Sequence, residues 1–118
     1  MSGIERFAQH LSKFKGVEHF VLTRNDGQLV THNLPDPDDL ASLVTLCGLS
    51  ALAIRKTIGF SQFKHLICAC AEHRSLIIFP LDKYFLGIRQ KADANQAELI
   101  DGVNRFLQRL IVSHKAAG

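Results

Sequence analysis

The chain lacks most of what would mark a membrane, secreted or nucleic-acid-binding protein. No apolar run reaches the roughly 18 residues of a membrane span. The opening stretch MSGIERFAQHLSKF mixes acid and base through an amphipathic pattern, so the apolar core of a secretion signal is missing. Gly3 follows Ser2, which leaves no myristoylation pattern. Cysteine is scarce, with only Cys47, Cys68 and Cys70. An odd number argues against a disulfide framework and for a cytoplasmic protein with reduced thiols. The 14 basic and 11 acidic residues leave a net charge of only +3, and no basic run forms a nucleic-acid arm.

Motifs of catalysis are missing too. There is no Gly-x-x-x-x-Gly-Lys phosphate loop, so the chain is not itself a P-loop GTPase. Asp36, Asp38 and Asp39 lack the glycine and terminal glutamate of a calcium loop, and a helix start explains them better. No serine, cysteine or lysine has a nucleophile's local signature. The sequence therefore predicts no catalytic residue, no cofactor and no metal.

At 118 residues, 47% of them hydrophobic, the chain suffices for one domain with a real core. The most informative stretch is Leu66 to Gln90, LICACAEHRSLIIFPLDKYFLGIRQ. It reads as three antiparallel strands: Leu66 to Ala71, Leu76 to Phe79 and Tyr84 to Ile88. Glu72-His73-Arg74 and Pro80-Leu81-Asp82-Lys83 are the turns between them. Leu66 to Ala71 is apolar at every position. Successive side chains point to opposite faces of a strand, so this run needs cover on both sides.

The other segments supply cover. Ile4, Phe7, Ala8, Leu11 and Phe14 share one helical face, with Ser2 and Glu5 as a capping box and Gly16 as the stop. Val17 to Thr23 and Gln28 to His32 read as a hairpin around Arg24-Asn25-Asp26-Gly27, whose Asp-Gly pair admits positive φ. Pro37 with Asp38 and Asp39 opens a second helix to about Thr57, ended by Gly59. Its main stripe reads as Leu40, Leu43, Val44, Cys47, Ala51, Ile54 and Ile58. Leu46, Ser50, Ala53 and Thr57 form a neighbouring ridge of mostly small residues, and Leu49 and Leu52 are apolar on the remaining side. A helix so apolar around its girth is either deeply buried or meets a partner. Phe60 and Phe63 flank the entry to the next strand and read as buried plugs rather than partner anchors. A last helix runs from Asn95 to about Val112 on a stripe of Leu99, Val103, Phe106, Leu107 and Leu110. The tail from His114 to Gly118 is expected to fray.

The element order is helix, two strands, helix, three strands, helix. With this order, the Gly16-Val17 entry to the first strand, the Asp26-Gly27 turn, the Ala/Leu-rich second helix and the PLDKYFLGI segment resemble the roadblock family. The likeness spans Ile4 to Ile111. It implies one roadblock-like domain over 1–118, with a core about 4–112. The implied architecture is an α+β sandwich of the profilin/longin type. A five-stranded antiparallel sheet carries the second helix on one face and the terminal helices on the other. It also implies a homodimer in which the second helices pack side by side and the strand after them pairs edge to edge with its copy. That places Leu46, Ser50, Ala53, Thr57, Leu66, Ile67, Cys68, Ala69 and Cys70 in a dimer interface. The implied role is a non-enzymatic scaffold or regulator of a Ras-like small GTPase, or of a motor or signalling complex. The partners would be a second copy or a related roadblock chain, and a small GTPase. Neither nucleic acid nor membrane insertion is implied.

Two other readings compete. A sheet of this shape can cup a small ligand beneath the second helix, which would make the chain a sensor. Cys68 and Cys70, with His65 and His73 nearby, suggest a zinc site or a redox pair. His65 has the wrong strand parity for such a site, however, and His73 lies in a turn. Same-face neighbours on one strand also sit near the limit for a disulfide. Small buried apolar cysteines account for the pair more simply.

Overall fold

The computed structural model describes residues 3–58, 65–69, 75–81 and 83–117, with side chains described except at 54–58, 69 and 110–117. The elements are α1 (Gly3–Ser12), β1 (Val17–Arg24), β2 (Leu29–His32), α2 (Asp38–Ile58), β3 (Leu66–Ala69), β4 (Ser75–Leu81), β5 (Tyr84–Gln90) and α3 (Gln96–Ala117). The strands form one antiparallel sheet in the order β2-β1-β5-β4-β3. α2 covers one face, while α1 and α3 cover the other. The sequence-based fold class is borne out.

Alternation along the strands divides the core in two. Phe20 and Leu22 of β1, Ile77 and Phe79 of β4, and Leu86 and Ile88 of β5 point towards α1 and α3. There they meet Leu11, Leu99, Val103 and Leu107. Val21, Leu76, Ile78 and Phe85 point the other way, to Leu40 and Val44 of α2. Period-two geometry thus explains why β4 is apolar at consecutive positions. Burying one such large side chain contributes about 1.5–3 kcal/mol.

Turn chemistry sets the register. Gly27 has φ +95°, its N–H donates to the Arg24 carbonyl (2.9 Å), and the Arg24 N–H donates to the Gln28 carbonyl (2.8 Å). Asp26 Oδ1 accepts from the Gln28 N–H (3.1 Å), which holds the turn from inside. The Asn25 N–H donates to the Lys83 carbonyl (2.8 Å), joining this turn to the β4–β5 turn. Beyond β2, Asn33 Oδ1 accepts from the Phe20 N–H (2.8 Å) and stands in for a strand partner. Gly16, at φ +97°, turns the chain from α1 into β1. A Cβ there would lie 3.0 Å from that of Ala94.

Three sequence-based expectations are corrected. β4 does not end at Phe79 but continues through Pro80 and Leu81, which pair with Phe85 and Tyr84. Closing pairs of two-residue hairpins exchange hydrogen bonds, so the Pro80–Phe85 pair is a non-bonded one and the proline withholds nothing from β5. Towards β3, the last pair among the described residues is Leu66–Ile78.

Next, α3 is helical to Ala117 rather than to about Val112. Neither glycine nor proline interrupts Val112 to Ala117, so nothing local stops it. Finally, the sheet-facing stripe of α2 is Leu40, Ala41, Val44 and Gly48, with Cys47, Ala51 and Leu52 half-buried. Leu43, expected on the stripe, is exposed. Phe60 and Phe63 lie outside the described residues.

Candidate functional site: the outer surface of α2 and the β3 edge

Two glycines seat α2 on the sheet. A Cβ at Gly87 of β5 would run into the side chain of Val44, and one at Gly48 would lie 2.9 Å from the Phe85 ring. Helix and strand therefore approach backbone to side chain at two successive levels. Thr45 ties the same helix to β1: its Oγ1 donates to the Ala41 carbonyl (2.9 Å) and lies 3.3 Å from Oγ1 of buried Thr23. Such packing leaves no room for a ligand between α2 and β5 at these positions, which counts against a sensor pocket there.

Seating α2 on its small residues turns its leucines outward. Leu46 is 65% exposed, Leu49 44% and Leu43 40%. Ser50 and Ala53 are exposed on the same outer side. Four-three spacing places Leu46, Ser50 and Ala53 along one ridge. Large apolar side chains this exposed and this close on one helix are the informative exception to normal burial.

β3 lies at the end of the sheet and pairs only with β4 among the described residues. Leu66 and Cys68 are half-buried and pack on the α2 side. Ile67 points to the opposite face and is 44% exposed. An edge strand of this kind offers unpaired backbone groups to another strand. Of the nine residues expected in an interface, Leu46, Ser50 and Ala53 therefore share the outer surface of α2. Leu66, Ile67 and Cys68 lie on the edge strand. The side chains of Thr57 and Ala69, and all of Cys70, fall outside the described residues.

Of the four candidate metal ligands, the two that lie among the described residues point to opposite faces of the sheet. The His65 ring lies 6.2 Å from that of Phe79, on the α1/α3 face, whereas Cys68 faces α2. Cys47 is a free thiol. Among the described residues, no three His, Cys, Asp or Glu side chains are grouped to hold a metal ion. His73 and Cys70 lie outside them.

No protein-family model matches the chain, and no curated protein matches it in sequence. Solved structures do match. Myxococcus xanthus MglB superposes with a TM-score of 0.81 over 98% of both chains, at 18% identity. The chain has a roadblock-type fold. An MglB with a tetrameric arrangement gives 0.74 over 91% of this chain and 84% of that one, at 18% identity. A Roadblock/LC7 domain from Streptomyces avermitilis gives 0.68 over 89% and 91%, at 17%.

Within the roadblock-type fold, the part that sequence reasoning missed is the glycine pair. Gly48 interrupts a helix and Gly87 a strand, and both were passed over in favour of larger neighbours. An isolated glycine inside either element is the signal of close backbone approach that finds them. Among the described residues, no helix is long and apolar enough to cross a membrane.

Proposed function

We propose that the chain is a non-enzymatic scaffold or regulator that works as a homodimer and engages a Ras-like small GTPase. The observation that carries this reading is the outward leucine ridge of α2, with Leu46 65% exposed, on a roadblock-type fold. Exposed leucines on a helix that already covers a sheet call for a second cover. A second copy meets that need symmetrically. Two α2 helices pack side by side through Leu46, Ser50, Ala53 and Thr57. Leu66, Ile67, Cys68, Ala69 and Cys70 extend the contact along the sheet edge. The tetrameric arrangement of one MglB structure supports self-association as a use of this fold. The GTPase, or a related roadblock chain, follows from the family resemblance and not from any residue that contacts a nucleotide. The reading takes the whole chain as one domain. An odd cysteine count and a free thiol at Cys47 agree with a cytoplasmic, reducing location.

Light scattering on the purified protein tests the dimer. The expected mass is twice that of the chain, and Leu46→Glu is expected to return it to the monomer value. A wild-type monomer at micromolar concentration would sink the proposal. An unchanged mass for Leu46→Glu would place the contact elsewhere. Capture of a small GTPase from native lysate, lost in the same variant, tests the regulatory half.

A further inference from the structure

The corner where α1 passes into β1 lies on the opposite face of the sheet from α2 and takes no part in the proposed dimer. His10, Lys13, Phe14 and Lys15 line an open hollow there of about 290 Å³. Its apolar wall is built rather than accidental. The half-buried Phe14 ring lies 5.6 Å from His10 and 5.7 Å from Phe106 of α3. His10 stacks on Phe106 at 4.4 Å with the rings 1° from parallel. A Cβ at Gly102 would come within 3.2 Å of Phe14, so α3 holds that ring closely. The chain then reverses at Gly16, which keeps Lys13 and Lys15 at the mouth with their side chains exposed. Among the described lining residues, none is acidic.

Size and charge together select an occupant. The hollow is just smaller than ligand pockets of roughly 300–1,000 Å³, a size suited to one large side chain. Aromatic wall and cationic rim complement an apolar group flanked by carboxylates. A phosphate or lipid headgroup would want a polar lining of converging donors, and here a half-buried aromatic ring, Phe14, shares the lining with the lysines. Bilayer insertion would want apolar side chains projecting outwards, and here the apolar surface is recessed. We propose that this corner docks an acidic peptide segment carrying one aromatic or large aliphatic anchor, the anchor against Phe14 and the carboxylates on Lys13 and Lys15. The proposal does not depend on the dimer or on the GTPase. If both hold, each copy presents its own hollow while α2 is occupied.

Fluorescence anisotropy with a labelled Glu-Asp-Phe-Asp-Glu peptide tests it. Saturable binding is expected, weakening with added salt and falling about tenfold or more in the Lys13→Glu/Lys15→Glu double variant. Both lysines are exposed, so circular dichroism of that variant should match the wild type. Phe14→Leu, which keeps the site apolar but removes the ring, is expected to weaken binding by a smaller factor. Replacing the peptide's Phe by Ala, or its acids by amides, should abolish measurable binding. Absent wild-type binding, or indifference to the lysine changes, would overturn the proposal. So would binding to phosphatidylserine-containing vesicles that the peptide does not compete for.

Discussion

On one face of the sheet, Phe20, Phe79 and Leu86 meet residues from two helices, Leu11, Leu99 and Val103 among them. On the other, Val21, Ile78 and Phe85 meet a single helix seated so low that Gly48 and Gly87 are needed to admit it. The covers also end differently. Away from the sheet, α3 carries Glu98, Asp101, Arg105 and Gln108, all exposed, with Arg105 and Asp101 paired at 3.0 Å. The outer side of α2 carries Leu43, Leu46 and Leu49. Among the described residues, the outer side of α3 is charged and that of α2 apolar. The thick face buries most of its large strand side chains under two helices, although Ile4 and Ile67 stay exposed at its margins. The thin face spends small residues on the sheet and keeps large ones outside, where they suit a protein partner.

Breaking the thick face should have the largest effect. Phe79→Ala removes a fully buried ring between β4 and α3 and leaves a cavity. A loss of about 4 kcal/mol in urea denaturation is expected. On the thin face the damage should come from adding atoms. Gly87→Ala forces a Cβ into Val44, and about 3 kcal/mol of overpacking is expected. Val44→Ala should relieve it, so the double variant should be more stable than the two single losses predict, by at least about 1 kcal/mol. Simple additivity would mean that α2 shifts on the sheet instead of being held at Gly87.

These effects also explain what the sequence revealed and what it hid. The apolar run from Leu66 to Ala71 announced a sheet covered on both sides, which β4 and β5 show fully and the edge strand only in part, since Ile67 is 44% exposed. Asp26-Gly27 announced the hairpin, and Pro37-Asp38-Asp39 the start of α2. Each of these signals is local, and each was legible. The side of α2 that meets the sheet was legible in Leu40, Val44 and Cys47, but its margins were not, because hydrophobicity favours leucine. The expected stripe included Leu43, while the real one uses Ala41 and Gly48. The choice is made by how near β5 comes, which depends on a glycine almost 40 residues away. The same close seating adds Leu43 to the outward Leu46 and Leu49, so the missed glycine contact widens the candidate surface. Pro80 was misread for a related reason. A turn residue in isolation, it is harmless at a ladder position that asks no N–H of it towards β5.

A smaller effect separates the helix start from the core of the thick face. Asn95 Oδ1 accepts from the Glu98 N–H (3.1 Å), capping α3 at its first turn. Asn95→Ala is expected to cost about 1 kcal/mol in the same denaturation experiment. A loss as large as that of Phe79→Ala would mean that α3 docks only when capped, and that the thick face is less self-sufficient than its packing suggests.

The smallest intrinsic effect should belong to the residue with the largest functional one. Leu46 is 65% exposed, so Leu46→Glu removes little from the chain's own core. At high dilution its denaturation midpoint should match the wild type within about 0.5 kcal/mol. Raising the protein concentration should then separate them. A dimer that binds only the folded chain gives the wild type a midpoint that climbs with concentration, whereas the variant's stays flat. If both midpoints stay flat, the outer surface of α2 is not where copies meet, and its leucines await a different cover. If Leu46→Glu is destabilised even at high dilution, the leucine is serving the chain's own core. The contrast between a finished face and an unfinished one would then have to be redrawn.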